Sequence, residues 1–89
     1  MTWSLRWSDK ALKQLRKLDP YQREIILRWM GKNVDGCADP RVHGKELTAN
    51  RRDQWRYRVG QYRVLCEIRD GDLVVLALEV GHRSKVYRG

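Results

Sequence analysis

The chain ends in a polar stretch, Val80-Gly81-His82-Arg83-Ser84-Lys85-Val86-Tyr87-Arg88-Gly89, that holds three side chains able to do chemistry. His82 suits proton transfer, and Arg83 suits stabilisation of developing negative charge. Tyr87 offers either a stacking platform for a base or a hydroxyl near a reacting phosphate. A second group sits upstream, in Trp55-Arg56-Tyr57-Arg58-Val59-Gly60-Gln61-Tyr62-Arg63. With Gly60-Gln61 as a two-residue turn, Val59 pairs with Tyr62, Arg58 with Arg63 and Arg56 with Leu65. Three guanidinium groups then share one face of two adjacent strands. Like charges directly opposite one another destabilise a sheet. Two arrangements relieve them: an anion such as phosphate between the arginines, or structural ion pairs to Glu67 and Glu79. His43 has no second ligand at metal spacing, so no metal role is assigned to it. The chain also lacks a Gly-rich phosphate loop, a serine nucleophile elbow and an HExxH motif.

Charge supports the phosphate arrangement. Thirteen Arg and six Lys against eleven acids give a formal charge of +8, and the excess is uneven: +3 over residues 1–40, +5 over 41–63 and none over 64–89. The central segment attracts polyanions, and its cations are nearly all arginine, the better bidentate partner for phosphate. A length of 89 residues predicts one domain, 1–89, with one modest core. Two cysteines, Cys37 and Cys66, are too few for a disulfide framework or a four-ligand zinc site. No apolar run approaches a membrane span, and Met1 to Trp7 lacks the apolar core of a signal peptide. The expectation is a cytoplasmic protein with reduced thiols and no membrane partner.

The elements that must carry these residues follow from periodicity. Trp3, Leu5 and Trp7 alternate with polar residues as in a half-buried strand. Ser8 caps a helix whose apolar stripe is Ala11, Leu12, Leu15 and Leu18. Asp19-Pro20, with Gln22 at the capping-box position, opens a second helix bearing Ile25, Ile26, Trp29 and Met30. Residues 34–54 show no sustained period, with a short strand expected near Lys45 to Thr48. Period 2 returns from Trp55, turns at Gly60-Gln61, runs from Tyr62 to Arg69, and turns again at Asp70-Gly71 into Leu73 to Val80. That last run is apolar on both faces, as in a central strand. The order predicts an α+β fold: an N-terminal strand, a helical hairpin, and an antiparallel meander of about three strands, with both helices on one face of an antiparallel sheet.

The ordered combination of Trp55 to Val64, Val80-Gly81-His82-Arg83 and the terminal Val86-Tyr87, with Gly44-Lys45-Glu46-Leu47 before it, resembles the RelE branch of the RelE/ParE toxins of bacterial toxin-antitoxin pairs. The resemblance implies a metal-independent endoribonuclease without cofactor or small-molecule ligand. Such an enzyme enters the ribosomal A site and cuts mRNA by attack of the 2′-hydroxyl on the adjacent phosphate. It also implies a cognate antitoxin as partner, alongside ribosome and mRNA. Arg63 and Arg83 match the family's transition-state arginines and Tyr87 its tyrosine near the 2′-hydroxyl, with His82 beside them. Arg56, Arg58, Lys45, Arg51, Arg52 and Lys85 are the RNA-binding cations. Arg56 and Arg58 stand where familiar RelE members carry lysine, and arginine stays protonated, so proton transfer would pass to His82, Tyr87 or Glu67. Gly89 leaves no room for the C-terminal helix of some RelE toxins. Two rival readings accompany this one: a ParE-like inhibitor that binds DNA gyrase, and a ribosome- or RNA-binding inhibitor that does not cut.

Overall fold

The computed structural model describes residues 2–82. Its order is β1 (Ser4–Trp7), α1 (Asp9–Lys17), α2 (Pro20–Asn33), β2 (Lys45–Glu46), β3 (Gln54–Val59), β4 (Tyr62–Arg69) and β5 (Val74–His82). The five strands form one sheet in the order β1-β5-β4-β3-β2. The α+β class and the antiparallel meander agree with the expectation, and β5 is central. The N-terminal strand differs from it, because β1 runs parallel to β5, with Leu5 beside Val75 and Trp7 beside Ala77. Parallel pairing requires a crossover, and the helical hairpin supplies it.

Both helices start where their capping residues stand. Ser8 Oγ accepts the Ala11 N–H and Asp19 Oδ1 accepts the Gln22 N–H, each at 3.0 Å. The stop of α1 is made by a residue of α2. Arg23 donates from Nε to the Leu15 carbonyl at 3.0 Å, and from Nη2 to those of Leu18 at 3.0 Å and Arg16 at 3.2 Å. A guanidinium thus satisfies the orphan carbonyls at the negative end of the α1 dipole and closes the hairpin in one step.

The core lies between the helices and one face of the sheet. Ala11, Leu15, Ile26, Met30 and Val34 meet Trp55, Tyr57, Val59, Val64, Cys66, Ile68, Val75, Ala77 and Val80, all buried. Burial pushes the Cys66 thiol well above its ordinary value and leaves it an inert packing group. The β1 edge is covered. Gly36 N–H reaches the Trp3 carbonyl, Trp3 N–H the Cys37 carbonyl, and Leu5 N–H the Asp35 carboxylate, so the segment after α2 lies along β1. Beyond the end of β1, α1 takes over: Ser8 Oγ donates to the Leu78 carbonyl at 3.0 Å and Gln14 Oε1 accepts from Val80 N at 2.6 Å. A bulge lies at this point, since Leu65 faces Glu79 while Cys66 faces Ala77. Leu78 is the extra residue.

One turn expectation is corrected. The turn after β4 is four residues long, Asp70 to Leu73, rather than the two residues Asp70-Gly71. Leu73 takes φ of 54°, keeps its side chain against the core, and presents its carbonyl to Ser4 N–H at 2.9 Å, which aligns β1 with β5. The strand near Lys45 to Thr48 shortens to Lys45–Glu46.

Segment 34–54 lacks periodicity because it is pinned from the sheet. Tyr57 Oη donates to the Pro40 carbonyl, and Trp55 Nε1 donates to the His43 carbonyl at 2.7 Å. Arg41 grips both Asp70 carboxylate oxygens at 2.8 and 2.9 Å, donates to the Arg52 carbonyl, and lies over the Trp55 ring. Its hydrogen bonds hold the Asp70 carboxyl below the usual carboxylate range. Among the described residues no helix is long and apolar enough to cross a membrane.

Two outcomes test this account. Arg23→Ala is expected to lower stability by about 1–2 kcal/mol in chemical denaturation, with Arg23→Lys recovering less than half, because three carbonyls lose a forked charged donor. Asp70→Asn is expected to cost about 0.5–1 kcal/mol near neutral pH, a modest figure because the Asp70 side chain is 61% exposed. The folded-state pKa is depressed, so this contribution is present above the ordinary aspartate pKa and lost as pH falls through the lowered value. Parent and variant should therefore converge in acid, as read from urea melts across pH.

Candidate functional site

The turn between β3 and β4 settles the geometry of the site. Gly60 has φ of +60° while Gln61 does not enter the positive region, which is the type II′ pattern. The register is Val59 with Tyr62, Arg58 with Arg63 and Arg56 with Leu65, as expected from the sequence. Pairs alternate outward from a two-residue turn, so Arg58 and Arg63 occupy a non-hydrogen-bonded position. Side chains approach most closely there, with Cβ atoms about 4.5–5.5 Å apart. Their face is the one away from the helices, because Tyr57, Val59 and Val64 are buried in the core. On β5 the residue beside Arg63 is Gly81, which adds no side chain to the row. Lys45 pairs with Arg56 and extends the same face to β2.

The acids that stood as candidate neutralisers have cations of their own. Glu67 accepts from Arg69 at 2.6 Å, and Glu79, at the bulge, meets Lys10 of α1 at 2.9 Å. Lys45, Arg56, Arg58 and Arg63 form one cationic row, three of its members planar guanidinium forks, suited to binding phosphate and stabilising charge on it. Its guanidinium groups cannot serve as bases.

Not every expected residue joins this row. Arg51 and Arg52 lie in the turn before the other end of β3, whose first residue Gln54 is about 13 Å along the strand from Arg58 at about 3.3 Å per residue. Arg51 pairs with Asp53 there, and the Arg52 carbonyl serves the Arg41 clamp. His82 lies on the opposite face from Arg63: it pairs with Tyr62 across β4 and β5, and its ring meets the Tyr62 ring edge-on at 5.8 Å. Period 2 puts alternate residues on opposite faces, which sequence adjacency to Arg83 conceals. Arg83, Lys85 and Tyr87 lie outside the described residues.

Two residues enter that sequence reasoning had placed elsewhere. A cleft of about 310 Å³ opens beside β3, lined by Trp29, His43, Gly44, Lys45, Arg56 and Arg58. From the sequence, Trp29 belongs to the α2 apolar face, and His43 carries no metal role. The available signal was Gly44 between them and β3. Its φ is +79°, and a Cβ there would collide with the Arg56 carbonyl, so only glycine brings His43 this close to the arginines.

With fold and site described, comparison with known proteins is informative. The curated relative Toxin RelG of Mycobacterium tuberculosis is 28% identical over 88 residues, 99% of each chain. Among solved structures, the RelBE2 toxin-antitoxin complex of M. tuberculosis superposes with a TM-score of 0.80 at 26% identity, covering 96% of this chain and 95% of that one. The isolated E. coli RelE toxin gives 0.72 at 27% identity, covering 96% and 90%. A family model described as the ParE toxin of type II toxin-antitoxin systems matches residues 5–87. Arginine row, fold and sequence thus converge, and the chain belongs to that family, as a RelE-type toxin of the RelE/ParE superfamily.

Proposed function

We propose that this toxin is a ribosome-dependent endoribonuclease that cuts mRNA in the A site and so stops translation. The observation that supports the reading most directly is Arg58 standing directly opposite Arg63 on the sheet face away from the helices, in one row with Arg56 and Lys45. In the proposed reaction the 2′-hydroxyl attacks the neighbouring phosphorus and the 5′-oxygen leaves, giving a 2′,3′-cyclic phosphate and a 5′-hydroxyl end. Arg63, with Arg83, stabilises the charge that builds on the phosphoryl oxygens. Arg56, Arg58 and Lys45 hold flanking phosphates, with Lys85 extending that surface. Arg51 and Arg52 contact RNA or the ribosome further along the strand. Tyr87 takes the position at the 2′-hydroxyl. His82 packs on Tyr62, on the face away from Arg63, and Glu67 is occupied by Arg69.

The partner in this reading is an antitoxin that covers the arginine face with an acidic or amphipathic segment. Several structural neighbours are themselves toxin-antitoxin complexes, including those of M. tuberculosis RelBE2 and E. coli RelBE. The toxin would act in the cytoplasm, where its ribosomal target is. A second reading, inhibition of DNA gyrase by binding alone, draws on the ParE description of the matching family.

Primer extension on a defined mRNA, with and without translating ribosomes, separates these readings. Cuts at A-site codons only when ribosomes are present are the expected result. An absence of cuts in both, together with loss of gyrase supercoiling activity, would establish the second reading instead. Arg63→Ala is expected to slow cleavage by about 10²–10³-fold, the usual effect of removing one transition-state donor. Its melting temperature should stay within about 2 °C of the parent, because the residue belongs to the face away from the core.

A further inference from the structure

The cleft at the β3 edge has two kinds of wall. One is aromatic: the Trp29 ring lies with its centroid 5.5 Å from that of His43, edge-on at 71°, and is backed by Tyr57 at 5.8 Å. The other is cationic, made by Arg56, Arg58 and Lys45. It exists because β2 pairs with only Arg56 and Trp55, so among the described residues no further strand covers the β3 edge from Tyr57 to Val59. His43 is held there through its main-chain carbonyl, which accepts Trp55 Nε1, and its side chain is exposed. About 310 Å³ is at the small end of ligand sites, which run from about 300 to 1,000 Å³.

A ligand matching both walls carries a planar π-system and an anion within a few ångströms of each other. An acidic peptide would satisfy the cations but leave the aromatic rings without a counterpart. A nucleotide satisfies both, since every base has a face for stacking and a phosphate beside it. We propose that this cleft binds one nucleotide of single-stranded RNA flanking the phosphate over Arg58 and Arg63. Its base packs on Trp29 and His43, and its phosphate lies on Lys45 and Arg56. The cleft would thereby contribute to the choice of nucleotide at the cut. The proposal rests on the ribonuclease reading and specifies what that reading leaves open, which side chains touch a base as distinct from the backbone. Trp29 and His43 act here as specificity residues, apart from the transition-state arginines.

The test uses the full-length ¹⁵N-labelled protein titrated separately with an RNA trinucleotide, inorganic phosphate and an acidic hexapeptide. The expected result is that the trinucleotide moves the Trp29 indole N–H and the His43 resonances, whereas phosphate moves only signals near Lys45, Arg56 and Arg58. His43→Ala should weaken trinucleotide binding at least fivefold. It should leave phosphate affinity and melting temperature unchanged, because the loop is tied by the His43 carbonyl rather than its ring. Identical shifts from trinucleotide and phosphate, or undiminished trinucleotide binding by His43→Ala, would overturn the proposal. So would an acidic peptide that moves Trp29 and His43 more than the trinucleotide does, which would make the cleft a protein-docking surface. Because binding is read without cleavage, the two readings fail separately. A protein that binds the trinucleotide at Trp29 but never cuts on ribosomes loses the nuclease reading alone. A protein that cuts, with the same distribution of cut sites in His43→Ala, loses the base site alone.

Discussion

The register between β3 and β4 is the constraint on which the other features depend. A slip of one residue would carry Trp55, Tyr57 and Val59 out of the core and turn Arg56 and Arg58 into it. Burying each large apolar side chain contributes roughly 1.5–3 kcal/mol, whereas cross-strand pair effects amount to about 0.2–1 kcal/mol. Burial therefore wins, and the juxtaposition of Arg58 with Arg63 is tolerated as its consequence. The type II′ turn at Gly60 reinforces the outcome by making the in-register hairpin the shortest closure.

The aromatic residues that fill the core also shape the site. Tyr57 is fully buried, and its hydroxyl is satisfied by the Pro40 carbonyl; Trp55 reaches the His43 carbonyl in the same way. Each bond meets the need of a buried polar group and at the same time anchors a point of the irregular segment before β2. Arg41 adds a third anchor by joining that segment to the β4–β5 turn through Asp70. The wall of the cleft is thus held from beneath by the core, and Gly44 allows the final approach.

The same fold serves different activities, so function rests on which groups the open face presents. Here the β3 positions on that face hold Arg56 and Arg58. Arginine offers stronger bidentate phosphate contacts and gives up any role in proton transfer. His82 is directed by its strand parity to the helix-bearing face, away from Arg63.

By itself the sequence determined the capped helices, the hairpin register and the basic face, because each is written in local chemistry. Ser8 and Asp19 cap, Gly60 permits the turn, and period 2 sorts tryptophan and tyrosine from arginine. Tertiary structure alone decided that β1 pairs parallel to β5, that Arg23 closes α1 and that β5 bulges at Leu78. It also brought His43 and Trp29, from segments far apart in the chain, together beside Arg56. Partners such as Asp70 and Arg41, 29 residues apart, meet only when the sheet forms. Short-range rules depend on spacing along the chain, whereas these contacts depend on which surfaces burial presses together. That is why the arginine row was legible beforehand and the cleft next to it was not.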